Sequence, residues 1–93
     1  MPKIYLAWRC GVSTPPVTSS FEYLIHPMSS ADCTLYCTAL LEASDKQAAW
    51  RKVQLAFPSC DLVYSEVADS SRIMNYNDAR QSGNVRIVPP REA

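Results

Sequence analysis

Apolar and polar side chains alternate at the start of the chain, with Ile4, Leu6 and Trp8 on one side and Tyr5, Ala7 and Arg9 on the other. A period of two places successive side chains on opposite faces of an extended backbone, so residues 3–12 are predicted to form a strand that closes at Gly11. The same period returns over residues 21–26, where Phe21, Tyr23 and Ile25 oppose Glu22, Leu24 and His26 before Pro27 stops the run. Consecutive strands pair most economically as antiparallel neighbours, and that is the expectation for these two. Between them, residues 13–20 are Ser, Thr and Pro with one valine, and the adjacent Pro15 and Pro16 cannot donate to a sheet ladder. They predict a projecting loop, and the polar residues 28–32 predict a short connection.

Residues 33–43 fit two periods. Cys33, Cys37 and Leu41 share a helical face, whereas Leu35, Cys37, Ala39, Leu41 and Ala43 share a strand face with Thr34, Tyr36 and Thr38 opposite. The strand gives the fuller apolar face, and Thr and Tyr favour extended backbone, so a strand is expected. A helix follows. Ser44 is placed to cap it through its hydroxyl, Gln47 to reach back to the cap amide, and Asp45 to complement the positive helix end. Ala49, Val53 and Phe57 then recur at helical spacing with Trp50 and Ala56 beside them, while Lys46, Arg51, Lys52 and Gln54 take the other side. Pro58 ends the helix.

Residues 61–68 return to alternation, Leu62, Tyr64 and Glu66 against Val63, Ser65 and Val67, and the short link before them suits a strand folding straight back onto the sheet. Residues 69–84 are polar, with Ile73, Met74 and Tyr76 the large apolar anchors, and read mainly as loop with room for one helical turn. Residues 85–88 add a last short strand. The whole is a single α+β domain over residues 1–93: a four- or five-stranded, mostly antiparallel sheet with one main helix packed on one face. Burying Trp50, Val53 and Phe57 beneath that helix contributes about 1.5 to 3 kcal/mol for each side chain.

Composition narrows what such a domain does. A chain of 93 residues builds one core, and 47% apolar with 19% charged residues is a globular composition, not a disordered one. Nine Lys and Arg balance nine Asp and Glu, so no whole-molecule field attracts or imitates a phosphate backbone. The last quarter departs from this balance, because Arg72, Arg80, Arg86 and Arg91 face only Asp78 and Glu92. The apolar run at residues 4–10 is broken by Arg9 and falls short of the ~20 residues a membrane span needs. A cytoplasmic protein without a membrane partner is the expectation, and its four cysteines are then expected to be thiols.

Chemistry is sparse. The single histidine, His26, would have to pair with Cys33 or Cys37 to make an activated thiol, and no nucleophile motif surrounds either cysteine. Cys33, Cys37, Cys60 and His26 are a conceivable zinc set, but on a strand Cys33 and Cys37 lie about 13 Å apart at ~3.3 Å per residue, too far for one ion. The two glycines form no phosphate-binding loop, and Glu22, Glu42, Asp61 and Glu66 are scattered. The sequence therefore predicts no enzyme, catalytic residue, metal or cofactor. What remains is contact. Tyr5, Trp8, Tyr23, Tyr36 and Tyr64 lie on strands, some of them on the face away from the helix, and Tyr and Trp dominate binding hot spots.

The segment Leu40-Leu41-Glu42-Ala43-Ser44-Asp45-Lys46-Gln47-Ala48-Ala49-Trp50, continued by Val53, Phe57-Pro58 and Asp61-Leu62-Val63, resembles the strand–helix–strand unit of very small phage and mobile-element proteins, anti-CRISPR proteins among them. The resemblance covers a quarter to a third of the chain and transfers no functional residue. It implies an inhibitor that binds a CRISPR effector subunit, and the zero net charge points to steric or allosteric blocking instead of DNA mimicry. Two functions follow. One is a protein-binding module, possible as a homodimer, using Tyr5, Trp8, Tyr23, Tyr36 and Tyr64 with Arg72, Tyr76, Arg80 and Arg86. The other is a nucleic-acid accessory protein in which Arg72, Arg80, Arg86 and Arg91 hold phosphates and Tyr76 stacks on a base.

Overall fold

Strands β1 (Lys3–Gly11) and β3 (Thr34–Glu42) are the two longest and carry apolar residues on both faces, which suits the middle of a sheet. They pair antiparallel along their whole length, from Lys3 opposite Glu42 to Gly11 opposite Thr34. Outside them lie β2 (Tyr23–His26) and β5 (Arg86–Val88) on one flank and β4 (Asp61–Val67) on the other, in the order β4-β1-β3-β2-β5 with every pairing antiparallel. This computed structural model describes residues 1–11, 21–26, 34–82 and 86–88, with the backbone alone at Thr34 and 86–88. The loop expected at 13–20, the connection at 28–32, Cys33 and Arg91 lie outside those residues.

The α+β class and the antiparallel sheet agree with the sequence reading, and residues 34–42 form the expected strand. The partner of β2 does not agree. It pairs with β3, not with β1, so β1 and β2 run in the same direction with β3 between them. The reason is apolar area: β1 and β3 match over nine residues, and a four-residue β2 could not replace that contact.

Helix α1 (Lys46–Ala56) packs on the face formed by Ile4, Leu6, Trp8 and Cys10 of β1 with Cys37, Ala39 and Leu41 of β3. Ala49, Val53, Ala56 and Phe57 are buried there as their spacing predicts, with Trp50 only partly covered. Trp8, Tyr23 and Phe57 form the centre, with ring centroids 5.0 Å (Tyr23–Phe57), 5.3 Å (Trp8–Phe57) and 6.2 Å (Trp8–Tyr23) apart. The cap is Asp45, not Ser44: its carboxylate accepts from the Ala48 amide at 2.8 Å. A carboxylate one residue nearer the helix takes the same orphan amide class and adds favourable charge at the positive end.

A second helix, α2 (Ser70–Gln81), replaces the loop expected at 69–84. Asp69 caps it by accepting from the Arg72 amide at 2.8 Å, and Arg80 lies in its last turn, where a cation complements the dipole. Its apolar stripe is short, yet Tyr76 is buried and Ile73 and Ala79 are partly covered. α2 packs on the face opposite α1, where Tyr76 meets Tyr5 edge-on at a centroid distance of 6.5 Å. The sheet is thus flanked on both sides.

The expectation of four thiols is also corrected, because Cys10 and Cys60 form a disulfide. β4 pairs with β1 so that Asp61 faces Arg9, which sets Cys60 opposite Cys10 with their Cα atoms 4.5 Å apart. That separation is typical of a non-hydrogen-bonded antiparallel pair and lies within disulfide reach.

Candidate functional site

The alternation that buries Ile4, Leu6 and Trp8 under α1 turns Tyr5, Ala7 and Arg9 to the other face. There the register places Tyr5 beside Glu66 and Leu40, Ala7 beside Tyr64 and Thr38, and His26 beside Tyr36. One turn into α2, Arg72 reaches back over this face. Its guanidinium carbon sits 4.3 Å from the Tyr5 ring centroid and 5.9 Å from that of Tyr64, while its Nε donates to the Glu66 carboxylate. The Tyr64 hydroxyl donates to the same carboxylate at 2.6 Å. Tyr5 and Tyr64 are themselves 6.2 Å apart. Four side chains from three elements therefore hold one another in place.

Their titration follows from these bonds. Donation from Tyr64, then from Arg72, holds the Glu66 carboxyl below its ordinary range, and the same bonds push Tyr64 and Arg72 up. Burial raises the Tyr5 phenol, and burial raises that of Tyr76. Arg80 and Glu22 make a second ion pair at 2.9 Å, so both cations of α2 that point at this face are neutralised.

Between the sheet and α2 lies a hollow of about 140 Å³ bordered by Tyr5, His26, Thr38, Arg72, Asn75 and Tyr76. His26 Nε2 and Thr38 Oγ1 are 2.8 Å apart, and desolvation holds the imidazole below its ordinary pKa. A hydroxyl beside an imidazole is the raw material of a nucleophile. Here Thr38 is buried in mid-strand, and the hollow falls below the ~300 Å³ at which small-molecule sites begin, so the pair ties β2 to β3.

Cysteine chemistry is constrained by the same geometry. Cys37 points to the α1 face and His26 to the α2 face, so they cannot form a nucleophile and base. Burial pushes the Cys37 thiol up to about 12, and the disulfide removes Cys60 from the conceivable zinc set.

The residues expected to bind a partner divide by face. Trp8 and Tyr23 are fully buried core residues, and Tyr76 is the buried anchor of α2, which withdraws all three from direct contact. Tyr5, Tyr36 and Arg72 are partly exposed, Tyr64 and Arg80 exposed, and the Arg86 side chain lies outside the described residues. On β4 the sequence reading named Tyr64 and not the apolar residues around it. Leu62, Val63, Tyr64 and Val67 are 40%, 45%, 45% and 58% exposed along a strand that, among the described residues, has no neighbour on its outer side. Its signal was present, since this strand carries apolar residues in both alternating sets and therefore more than one packed face can cover. Compared with protein-family models, curated proteins and solved structures, the chain matches none, and its reading rests on this surface.

Proposed function

We propose that this chain is a non-enzymatic protein-binding module that works through the β4 edge and the Tyr5, Tyr64 and Arg72 cluster beside it. The observation that carries the reading is the row of exposed apolar side chains on an edge strand. Such an edge offers main-chain hydrogen bonds to an extended segment, and its alternate side chains supply specificity. Tyr and Arg are the residues that most often anchor interfaces, and the ion pair with Glu66 holds Arg72 in position before any partner arrives.

Affinity capture with the wild type and Tyr64→Ala tests this. Specific retention of a partner by the wild type, weakened about 30-fold by Tyr64→Ala for a hot spot of ~2 kcal/mol, is expected. Failure of the wild type to retain any specific partner overturns the reading.

The sharper form, suggested by the likeness to anti-CRISPR proteins, is a phage-encoded inhibitor of a CRISPR effector complex that acts in the cytoplasm by steric or allosteric blocking. It requires saturating protein to reduce target binding by an effector, and an unaffected effector rejects it. The Cys10–Cys60 bridge weighs against that setting, since cytosolic glutathione keeps most thiols reduced. Nucleic-acid binding draws little support: Arg72 and Arg80 are already paired with carboxylates and Tyr76 is buried. Among the described residues no helix is long and apolar enough to cross a membrane.

A further inference from the structure

β4 consists of two stretches joined at Val63. The register against β1 shifts there, with Ala7 facing Tyr64 and Trp8 facing Leu62, so Val63 is the extra residue of a bulge. On the α2 side of the bulge the strand has several anchors: Ala68 N–H donates to the Lys3 carbonyl at 2.8 Å, Glu66 accepts from Tyr64 and Arg72, and Tyr64 packs against Tyr5. On the other side Asp61, Leu62 and Val63 are exposed, and among the described residues no side-chain hydrogen bond or ion pair holds them. What fixes this end is the disulfide. Cys60, tied covalently to Cys10, immediately precedes Asp61, and its N–H donates at 3.3 Å to the carbonyl of buried Phe57.

From this we infer that the Cys10–Cys60 bridge is a redox latch: closed, it holds residues 61–63 on β1, and opened by a thiol such as glutathione it releases them while residues 64–68 and both helices keep their places. Cys60 is partly exposed and Cys10 is buried, so an incoming thiol reaches the Cys60 sulfur. A thiolate RS⁻ attacks that sulfur, the Cys10–Cys60 bond breaks, and Cys10 leaves with the electron pair and takes up a proton. A second RS⁻ attacks the mixed disulfide, giving the Cys60 thiol and RSSR. Two thiols are thereby oxidised and one disulfide reduced, and RSSR drives the same steps backwards to close the latch. Leu62 and Val63 are two of the four exposed large apolar residues on β4, so the redox state sets how much of that row is held in strand form. The latch is a property of the chain alone and stands whether or not the edge binds a partner.

Amide hydrogen exchange on the full chain, read residue by residue in buffers of reduced or oxidised glutathione, tests the latch. The bond from Ala68 to Lys3 puts the odd-numbered residues of β1 in hydrogen-bonded pairs with β4, so Arg9 and Asp61 report the latched end and Tyr5 and Glu66 the other. Reduction is expected to speed exchange at Arg9 and Asp61 at least about 10-fold more than at Tyr5 and Glu66, and reoxidation to restore it. The double variant Cys10→Ala with Cys60→Ala, which has no bridge to form, should show the open pattern in both buffers, and a closed pattern there overturns the latch. Equal acceleration at all four amides also overturns it and makes the bridge a brace for the whole fold, as does a reduced chain that loses its circular dichroism spectrum. Unchanged exchange in protein that mass spectrometry shows to be reduced rejects it too, because that end then stays on β1 unaided, and so does a wild type in which oxidised glutathione forms no Cys10–Cys60 bridge.

Discussion

On its α1 side the sheet meets a helix through Trp8, Tyr23, Phe57 and small apolar residues, and on its α2 side through Tyr5, Thr38, His26, Arg72 and Tyr76. Both faces come from the same strands, one residue out of step. The first is apolar: its rings lie 5.0 to 6.3 Å apart, and Trp8 Nε1 finds no hydrogen-bond partner among the described residues. Burial without direction supplies most of the stability there. The second face is held by directional bonds, Arg72 to Glu66, Tyr64 to Glu66, His26 to Thr38 and Arg80 to Glu22. Surface ion pairs of that kind add little stability but fix where side chains point. One face thus holds the molecule together and the other presents a shape.

The largest expected effect lies on the apolar face. Phe57→Ala should lower stability by about 3 to 5 kcal/mol in urea denaturation, and a mutant that melts like the parent would remove the distinction between the faces. The Cys10–Cys60 bridge closes a segment with a sequence separation of 50 and ties β4 to the buried end of β1. Reducing it, or replacing Cys60 with Ser, should cost about 2 to 4 kcal/mol, seen as a lower melting temperature with reductant. An unchanged melting curve would restore the thiol reading.

Smaller effects probe the bonded face. Tyr76→Ala removes the anchor of α2 and should cost about 1.5 to 3 kcal/mol, with amide exchange accelerating in α2 before α1; uniform acceleration would mean that the faces unfold as one unit. Asp45→Ala should cost about 1 kcal/mol and Ser44→Ala under ~0.5, an order that reverses if the serine is the cap. The smallest effect is the pH dependence of His26. Its folded pKa lies below the ordinary 6.5, so the unfolded chain binds more protons as pH falls through that value. Stability contributed by neutral His26 is fully present above 6.5 and declines below it toward the folded pKa, and His26→Gln should flatten this part of the stability-versus-pH profile.

Much of this architecture was legible in the sequence. Alternation marked β1, β2, β3 and β4, and the spacing of Ala49, Val53 and Phe57 marked α1, because each pattern is a local record of which side a residue turns to its neighbours. α2 was not legible. Its single aromatic anchor, Tyr76, looks isolated along the chain and becomes a packed residue only when Tyr5 and Leu40 arrive from distant strands. The candidate site was half legible: Tyr5, Tyr64 and Arg72 were named, while Trp8 and Tyr23 carried the same aromatic signal and went to the core. Aromatic identity does not tell a strand's two faces apart.

What the sequence determined by itself is the set of elements with strong periods and the scarcity of ordinary catalytic motifs, since both depend on residue types at short spacing. Only the tertiary structure decided that β3 separates β1 from β2, that Cys10 meets Cys60, that Arg72 pairs with Glu66, and that β4 stands at the end of the described sheet. Each of these is a relation between residues far apart in the chain. It is set by which strands share the most apolar area and by the register that follows, and a local pattern contains neither.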